Sequence, residues 1–147
     1  MSPDSEQSPW LAPTDSALLA ILGRARTVAV VGASDNPDRA SFSVASYLLT
    51  STDYTVWLVN PRVDSIMGHR TFPDLRSLPE PPDIVDVFRK VSDLPEVLDE
   101  AIEVGATTLW LQLGLSDEGI ARRAEAAGLS VVMDRCMYME HERLFGD

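Results

Sequence analysis

A single α/β domain, with helices on both faces of a parallel sheet, is predicted by three features of this 147-residue chain. Thr27-Val28-Ala29-Val30-Val31 is a continuous apolar, largely β-branched run, as a strand buried between two helical layers must be. Leu94, Val97, Leu98, Ala101 and Ile102 recur at i, i+3, i+4, i+7 and i+8, which is one face of a helix. That segment and the one from Ser116 to Ala127 each close on a glycine, Gly105 and Gly128, and lead into another strand-like run. Helix, glycine and strand in that rhythm imply right-handed βαβ crossovers. Strands are expected at Thr27–Val31, Tyr54–Val59, Ile84–Phe88, Thr107–Leu111 and Ser130–Met133, giving a Rossmann-like, doubly wound parallel sheet of about five strands.

Taken in order, residues 1–14 are rich in Ser, Pro and acidic groups and read as a flexible tail, in which only Trp10 and Leu11 can grip a core. Residues 15–147 form the domain. Thr14 or Asp15 caps a first helix carrying Leu18, Leu19 and Leu22 and ending near Gly23, which should pack on a sheet edge. A second helix begins near Ser41. Pro73, Pro79, Pro81 and Pro82 forbid a long helix between Phe72 and Pro82, so a connection with one short helical turn is expected there. Ser92 is placed to cap the helix that Gly105 ends, and Ile120, Ala121, Ala124 and Ala127 form the inner face of the next.

Composition bounds the function. A hydrophobic content of 45% is ordinary for a globular chain, and at this length roughly 70% of the unfolded surface can be buried without a disulfide or structural metal. Cys136 has no partner cysteine, and His69 and His141 lack the neighbours of a zinc site, so no metal is expected. Twelve basic residues against 23 acidic ones give a net charge of −11. That balance disfavours broad binding to a nucleic-acid backbone but leaves room for a local basic pocket. No apolar run reaches the roughly 18 residues of a membrane span, and the N-terminus lacks a signal-like pattern, so a cytoplasmic protein without membrane partners is expected.

In open parallel sheets ligands bind beyond the carboxyl ends of the strands, so the residues following each strand carry the functional information. After the first strand, Gly32 permits a tight turn, Ser34, Asn36, Ser41 and Ser43 offer polar groups, Arg39 a cation, and the helix start near Ser41 free N–H groups. This suits a phosphate, although the second and third glycines of G-x-G-x-x-G are missing. The same residues also make an ordinary capped polar turn. After the second strand stands Val59-Asn60-Pro61-Arg62, where NAD-binding domains place a carboxylate for the ribose hydroxyls. Arg62 suits a phosphorylated ribose instead, or else lies solvated in an Asn-Pro turn.

Phe88-Arg89-Lys90 follows the third strand, where the ring either covers a nucleotide base or joins the core. Gln112-Leu113-Gly114 follows the fourth and supplies a small residue for close passage. After the fifth, Asp134 and Arg135 are expected to pair with each other, and Cys136 is either an inert small apolar residue or a thiol activated by Arg135.

Val30 to Pro37, Val59-Asn60-Pro61, Asp86-Val87-Phe88-Arg89, Trp110 to Gly114 and Val132 to Cys136 together resemble the stand-alone bacterial CoA-binding proteins. These are similar to the CoA-binding domain of the succinyl-CoA synthetase alpha subunit. The resemblance runs from about Ala25 to Leu144, five blocks in order. It implies coenzyme A held across the carboxyl ends of the strands. Gly32, Ala33 and Ser34 would lie against the pyrophosphate, with Asn36 in the same loop and Arg39 and Ser41 nearby. Asn60, Pro61 and Arg62 would face the adenosine and its 3′-phosphate, Phe88 and Arg89 would flank the nucleotide, and Leu113 and Gly114 would approach the pantetheine arm.

The chain departs from the synthetase where that enzyme carries a phosphoryl group on a His after its glycine-rich region. Here Gly114 is followed by Leu115-Ser116-Asp117-Glu118, with no His before His141 and no ATP-grasp segment. The expectation is a protein that binds CoA or an acyl-CoA without catalysis of its own, with a protein partner left open. The alternatives are an NADP-linked oxidoreductase and a redox module in which Cys136 joins the CoA thiol.

Overall fold

The computed structural model describes residues 10–146; most of the expected tail therefore lies outside the described residues. Within them, the five apolar runs become five parallel strands: β1 (Thr27–Val31), β2 (Thr55–Val59), β5 (Ile84–Val87), β6 (Thr108–Leu111) and β7 (Ser130–Val132). Two further strands, β3 (Ser65–Ile66) and β4 (His69–Phe72), extend the sheet to seven in the order β3-β4-β2-β1-β5-β6-β7. The expected count of about five is thereby corrected. The extra pair is an antiparallel hairpin turning at Met67 and Gly68, both at positive φ (50° and 78°) as a two-residue hairpin turn demands. It escapes sequence patterning because it is short, largely exposed, and ties to the main sheet through just the end of β2, at Leu58, Val59 and the following Asn60.

Side chains alternate along each central strand, and the two faces bury different layers. Ala29, Val31, Val85, Val87, Leu109 and Leu111 face α3 (Leu94–Val104) and α4 (Glu118–Ala126). Val28, Val30, Ile84, Trp110 and Val132 pack with α1 (Asp15–Arg24), α2 (Ala40–Ser51) and α5 (Met137–Phe145). The first helix thus covers the sheet face rather than an edge: Leu18 and Leu22 are buried in one cluster with the central-strand valines. α5 is not announced by apolar spacing. It is anchored by Met137 and by Glu140, whose carboxylate takes both Arg135 and Arg143.

The ends of the elements are chemically specified. Thr14 Oγ1 accepts from the Ala17 amide to start α1, and Asp117 Oδ1 accepts from Ile120 to start α4, two residues later than Ser116. Ser92 does not cap α3: it sits inside a 3-10 turn, Val91–Asp93, and Asp93 takes the cap position with its carboxylate turned to Arg89. Gly105 ends α3 in the left-handed conformation at φ 82°. The Pro-rich connection contains the single short turn expected of it, Leu75–Ser77, with Asp74 as its cap. Among the described residues no helix is long and apolar enough to cross a membrane.

Candidate functional site

Strand order decides where a ligand can lie. β1 sits between β2 and β5, so the chain leaves the centre of the sheet in both directions and opens a crevice above the carboxyl ends of the middle strands. A cavity of about 750 Å³ occupies that place. A larger one, about 870 Å³, lies at the opposite ends of β1 and β2, around Arg26 and Thr55. The topology favours the smaller cavity, and the sequence-identified residues meet there. Gly32, Ser34, Arg39 and Ser41 line it from the β1 side, Asn60 and Arg62 from β2, Phe88 and Arg89 from β5, and Leu113 and Gly114 from β6.

Three expected contacts are not brought to the cleft. Ala33 is buried in the core, its amide given to the Val59 carbonyl and its own carbonyl taken by Asn60 Nδ2. Asn36 is occupied within its loop: its amide donates to Ser34 Oγ and its Oδ1 accepts from the Asp38 amide. Pro61 turns to a separate small cavity beside Leu75 and Val97. The loop is therefore both a self-capped polar turn and a wall of the cleft.

Main-chain hydrogen bonding identifies which amides are open. Gly32 and Ala33 both donate to the Val59 carbonyl at 3.2 Å, so neither N–H is free for a ligand. At the start of α2 the situation reverses. Arg39 holds the cap position without a side-chain cap, leaving the first N–H groups, on Ala40 and Ser41, without an intrahelical partner, and both residues line the cleft. Asn60 fastens this rim instead of reaching outward: Nδ2 donates to Ala33 O at 2.8 Å, and Oδ1 accepts from the Arg62 amide at 2.7 Å.

Electrostatics sharpen the picture. Arg39, Arg62, Arg89 and Lys90 line the cleft, and no Asp or Glu is among its lining residues, in a chain of net charge −11. Arg89 is held by Asp93 at 3.2 Å, but Arg39, Arg62 and Lys90 have no ion pair among the described residues. Unpaired cations around a cavity beside an uncapped helix start make a positive focus in an anionic molecule. Phe88 packs on the α1, α2 and α5 side of the core and also lines the cleft.

The far rim is held by β7. Asp134 and Arg135 do not pair with each other: Asp134 Oδ1 accepts from the Gly114 amide at 2.6 Å, and Arg135 pairs with Glu140 at 3.1 Å. Cys136 is half-buried at the start of α5, packs against the core and does not line the cleft.

Val91, Leu115 and the carboxamide of Gln112 are lining residues that reading the strand ends underweighted. Asp86 does not line the cleft but lies beside it in β5, one residue before the lining Val87. It is completely buried with both carboxyl oxygens unpartnered, and burial drives its carboxyl well above the ordinary range. The signal for Asp86 was visible as a lone acid inside an apolar strand.

The chain is similar to known proteins over most of its length. A family model described as a CoA binding domain matches residues 26–142. Protein YneT of Bacillus subtilis (strain 168) is 36% identical over 129 residues, covering 88% of this chain and 95% of YneT. A hypothetical protein from Pyrococcus horikoshii OT3 superposes with a TM-score of 0.85 at 34% identity, over 95% of this chain and 99% of that one. The dinucleotide-forming acetyl-coenzyme A synthetase 1 of Ca. Korarchaeum cryptofilum shares the fold at 23% identity and a TM-score of 0.70. There the match covers 79% of this chain and 27% of the synthetase. Matched across nearly its whole sheet and by a relative of almost equal length, the chain belongs to the CoA binding domain family.

Proposed function

We propose that the cleft above β2, β1, β5 and β6 binds coenzyme A or an acyl-CoA, and that the protein acts by holding this ligand rather than by transforming it. The carrying observation is the gathering of Arg39, Arg62, Arg89 and Lys90 around one carboxylate-free cavity next to the open N–H groups of α2. CoA carries a 3′-phosphate and a pyrophosphate, and charge-assisted bonds to cations are the strongest interactions such a surface can offer. Arg62 and Arg39 take the phosphates in this reading, the amides of Ala40 and Ser41 add main-chain donors, and Phe88 covers the nucleotide. Support for a binding role comes from the lining itself, in which four cations and no carboxylate stand around the cavity. Cys136 lies outside that lining, which removes the geometric motive for a mixed disulfide with the CoA thiol.

A second reading rests on one observation: Arg62 at the end of β2 suits the 2′-phosphate of NADP as well as the 3′-phosphate of CoA. Calorimetric titration with CoA, dephospho-CoA, NADP and NAD separates the two. CoA binding most tightly, with dephospho-CoA weaker, is the expected order; NADP at the top would replace the CoA reading, and no binding of any of the four would end both.

A further inference from the structure

We infer that the outer face of α2, with the groove it forms against α5, is the contact between two copies of this chain. Such a dimer is independent of what the cleft holds. Charge is the first sign of it. Of the five helices among the described residues, α2 alone has no Asp, Glu, Lys or Arg in its 12 positions, in a chain whose charged residues make up 24%. The groove beside α2, about 420 Å³, repeats the pattern. Phe42, Ser43, Ser46, Tyr47 and Thr50 of α2 and Tyr138 of α5 line it, and none of its lining residues is charged. The cavities at the two ends of the sheet and the one beside Leu75 all contain charged side chains. Around the groove charge returns in sequence at Asp38 and Arg39, just before α2, and at Glu142 on α5.

A neutral face selects its partner. Each copy carries −11, so two copies repel through most of their surface. A two-fold axis sets the contact patch against the same patch on the other copy. A patch of one sign would meet itself, whereas an uncharged face brings no like charges together. A basic protein, drawn by the net charge, would settle on the acidic surfaces and leave α2 bare. The residues also suit a packed contact. Tyr47 and Tyr138, both half-buried, stack with ring centroids 4.1 Å apart and planes 14° from parallel, and the Tyr47 hydroxyl is bonded to His141 Nδ1 at 2.8 Å. The rings are held before a partner arrives, so burying them costs little side-chain freedom. Met139, next to Tyr138, is 58% exposed, and tyrosine and methionine are favoured in interface cores. Ser43, Ser46 and Thr50 are short enough for two α2 helices to reach the ordinary interaxial spacing of about 8–10 Å. Pro37 lines the groove and Arg39 lines the cleft, so a copy docked on α2 also braces the loop that walls the ligand site.

Sedimentation equilibrium of the full chain reads this contact directly. The unaltered protein is expected to dimerise, to twice its 16.1 kDa, in the micromolar range. Added salt should tighten the dimer, because screening relieves the repulsion between two anionic copies and leaves a neutral contact untouched. Ser43 is exposed in the single chain and lies near the start of α2, where a negative charge suits the helix dipole. Ser43→Glu should therefore keep the circular dichroism of the folded chain and raise the dimer Kd at least about tenfold, while Ser43→Ala keeps the dimer. A monomer throughout the micromolar range would overturn the inference, leaving the face bare or for another partner. So would a dimer indifferent to Ser43→Glu, whose contact lies elsewhere, or one that weakens with salt, which is held by ion pairs and not by this face.

Discussion

A β-carbon placed on Gly32 would stand 2.3 Å from the carbonyl oxygen of Phe88, so the loops leaving β1 and β5 meet main chain to main chain. Gly32 also has φ +88°, a conformation that side chains resist. Its glycine requirement therefore comes from the protein's own floor beneath the cleft. Gly32→Ala must both adopt a strained backbone and push β1 from β5. It should cost about 2–4 kcal/mol in urea denaturation. A loss below about 0.5 kcal/mol would show that the two loops part without resistance.

Arg62 is anchored only through its main chain, whose amide donates to Asn60 Oδ1, while its guanidinium has no ion pair among the described residues. Replacing it by Gln should leave stability nearly unchanged. CoA binding is expected to weaken about tenfold, with dephospho-CoA affected little, because only the former offers a 3′-phosphate. The difference should shrink as salt is raised. Equal weakening of both ligands would remove Arg62 from the 3′-phosphate.

The parallel strands and most of the cleft are legible in the sequence because each depends on a local signal. Thr27–Val31 is apolar on both faces, and Gly32, Arg62, Phe88 and Gly114 follow strands. What the sequence hides is set by distant partners. The hairpin Ser65–Phe72 has no apolar run, since it is an exposed edge, and α5 owes its place to a buried Glu140 that two arginines neutralise. Ala33 and Asn60 bond to each other across the rim, a pairing 27 positions apart that no local pattern displays, and of the two only Asn60 also lines the cleft. The expected Asp134 and Arg135 pair fails because Asp134 bonds to Gly114, 20 positions away, while Arg135 turns to Glu140 in the helix that follows.

Asp134 shows how such a distant bond shapes the site. It is a non-glycine residue at φ 58°, and its Oδ1 holds the amide of Gly114, itself at φ 88°, on the rim of the cleft. Asp134→Ala loses that acceptor while keeping the unfavourable backbone, and should cost about 1–2 kcal/mol. Asp134→Asn keeps an acceptor and tolerates the left-handed conformation, so it should remain close to the unaltered protein. If the two variants melt alike, the bond to Gly114 does not support the rim.

Asp86 should make stability fall as pH rises. Its partners across the sheet are Val30 and Trp110, it is 0% exposed, and burial raises its carboxyl well above the ordinary 3.8. Above pH 3.8 the unfolded chain releases this proton while the folded chain retains it. Each further pH unit therefore removes about 1.4 kcal/mol of stability, until pH passes the raised folded-state value and the loss levels off. Asp86→Asn is nearly isosteric and has no proton to lose. Other carboxylates titrate in both proteins and cancel in the difference, so denaturation of the pair between pH 4 and pH 7 isolates this group. The variant should gain on the unaltered protein as pH rises from 4, levelling off only where pH passes the raised folded-state value, and parallel curves would mean that Asp86 ionises normally in the folded chain and that the sheet interior beneath the cleft accommodates its charge.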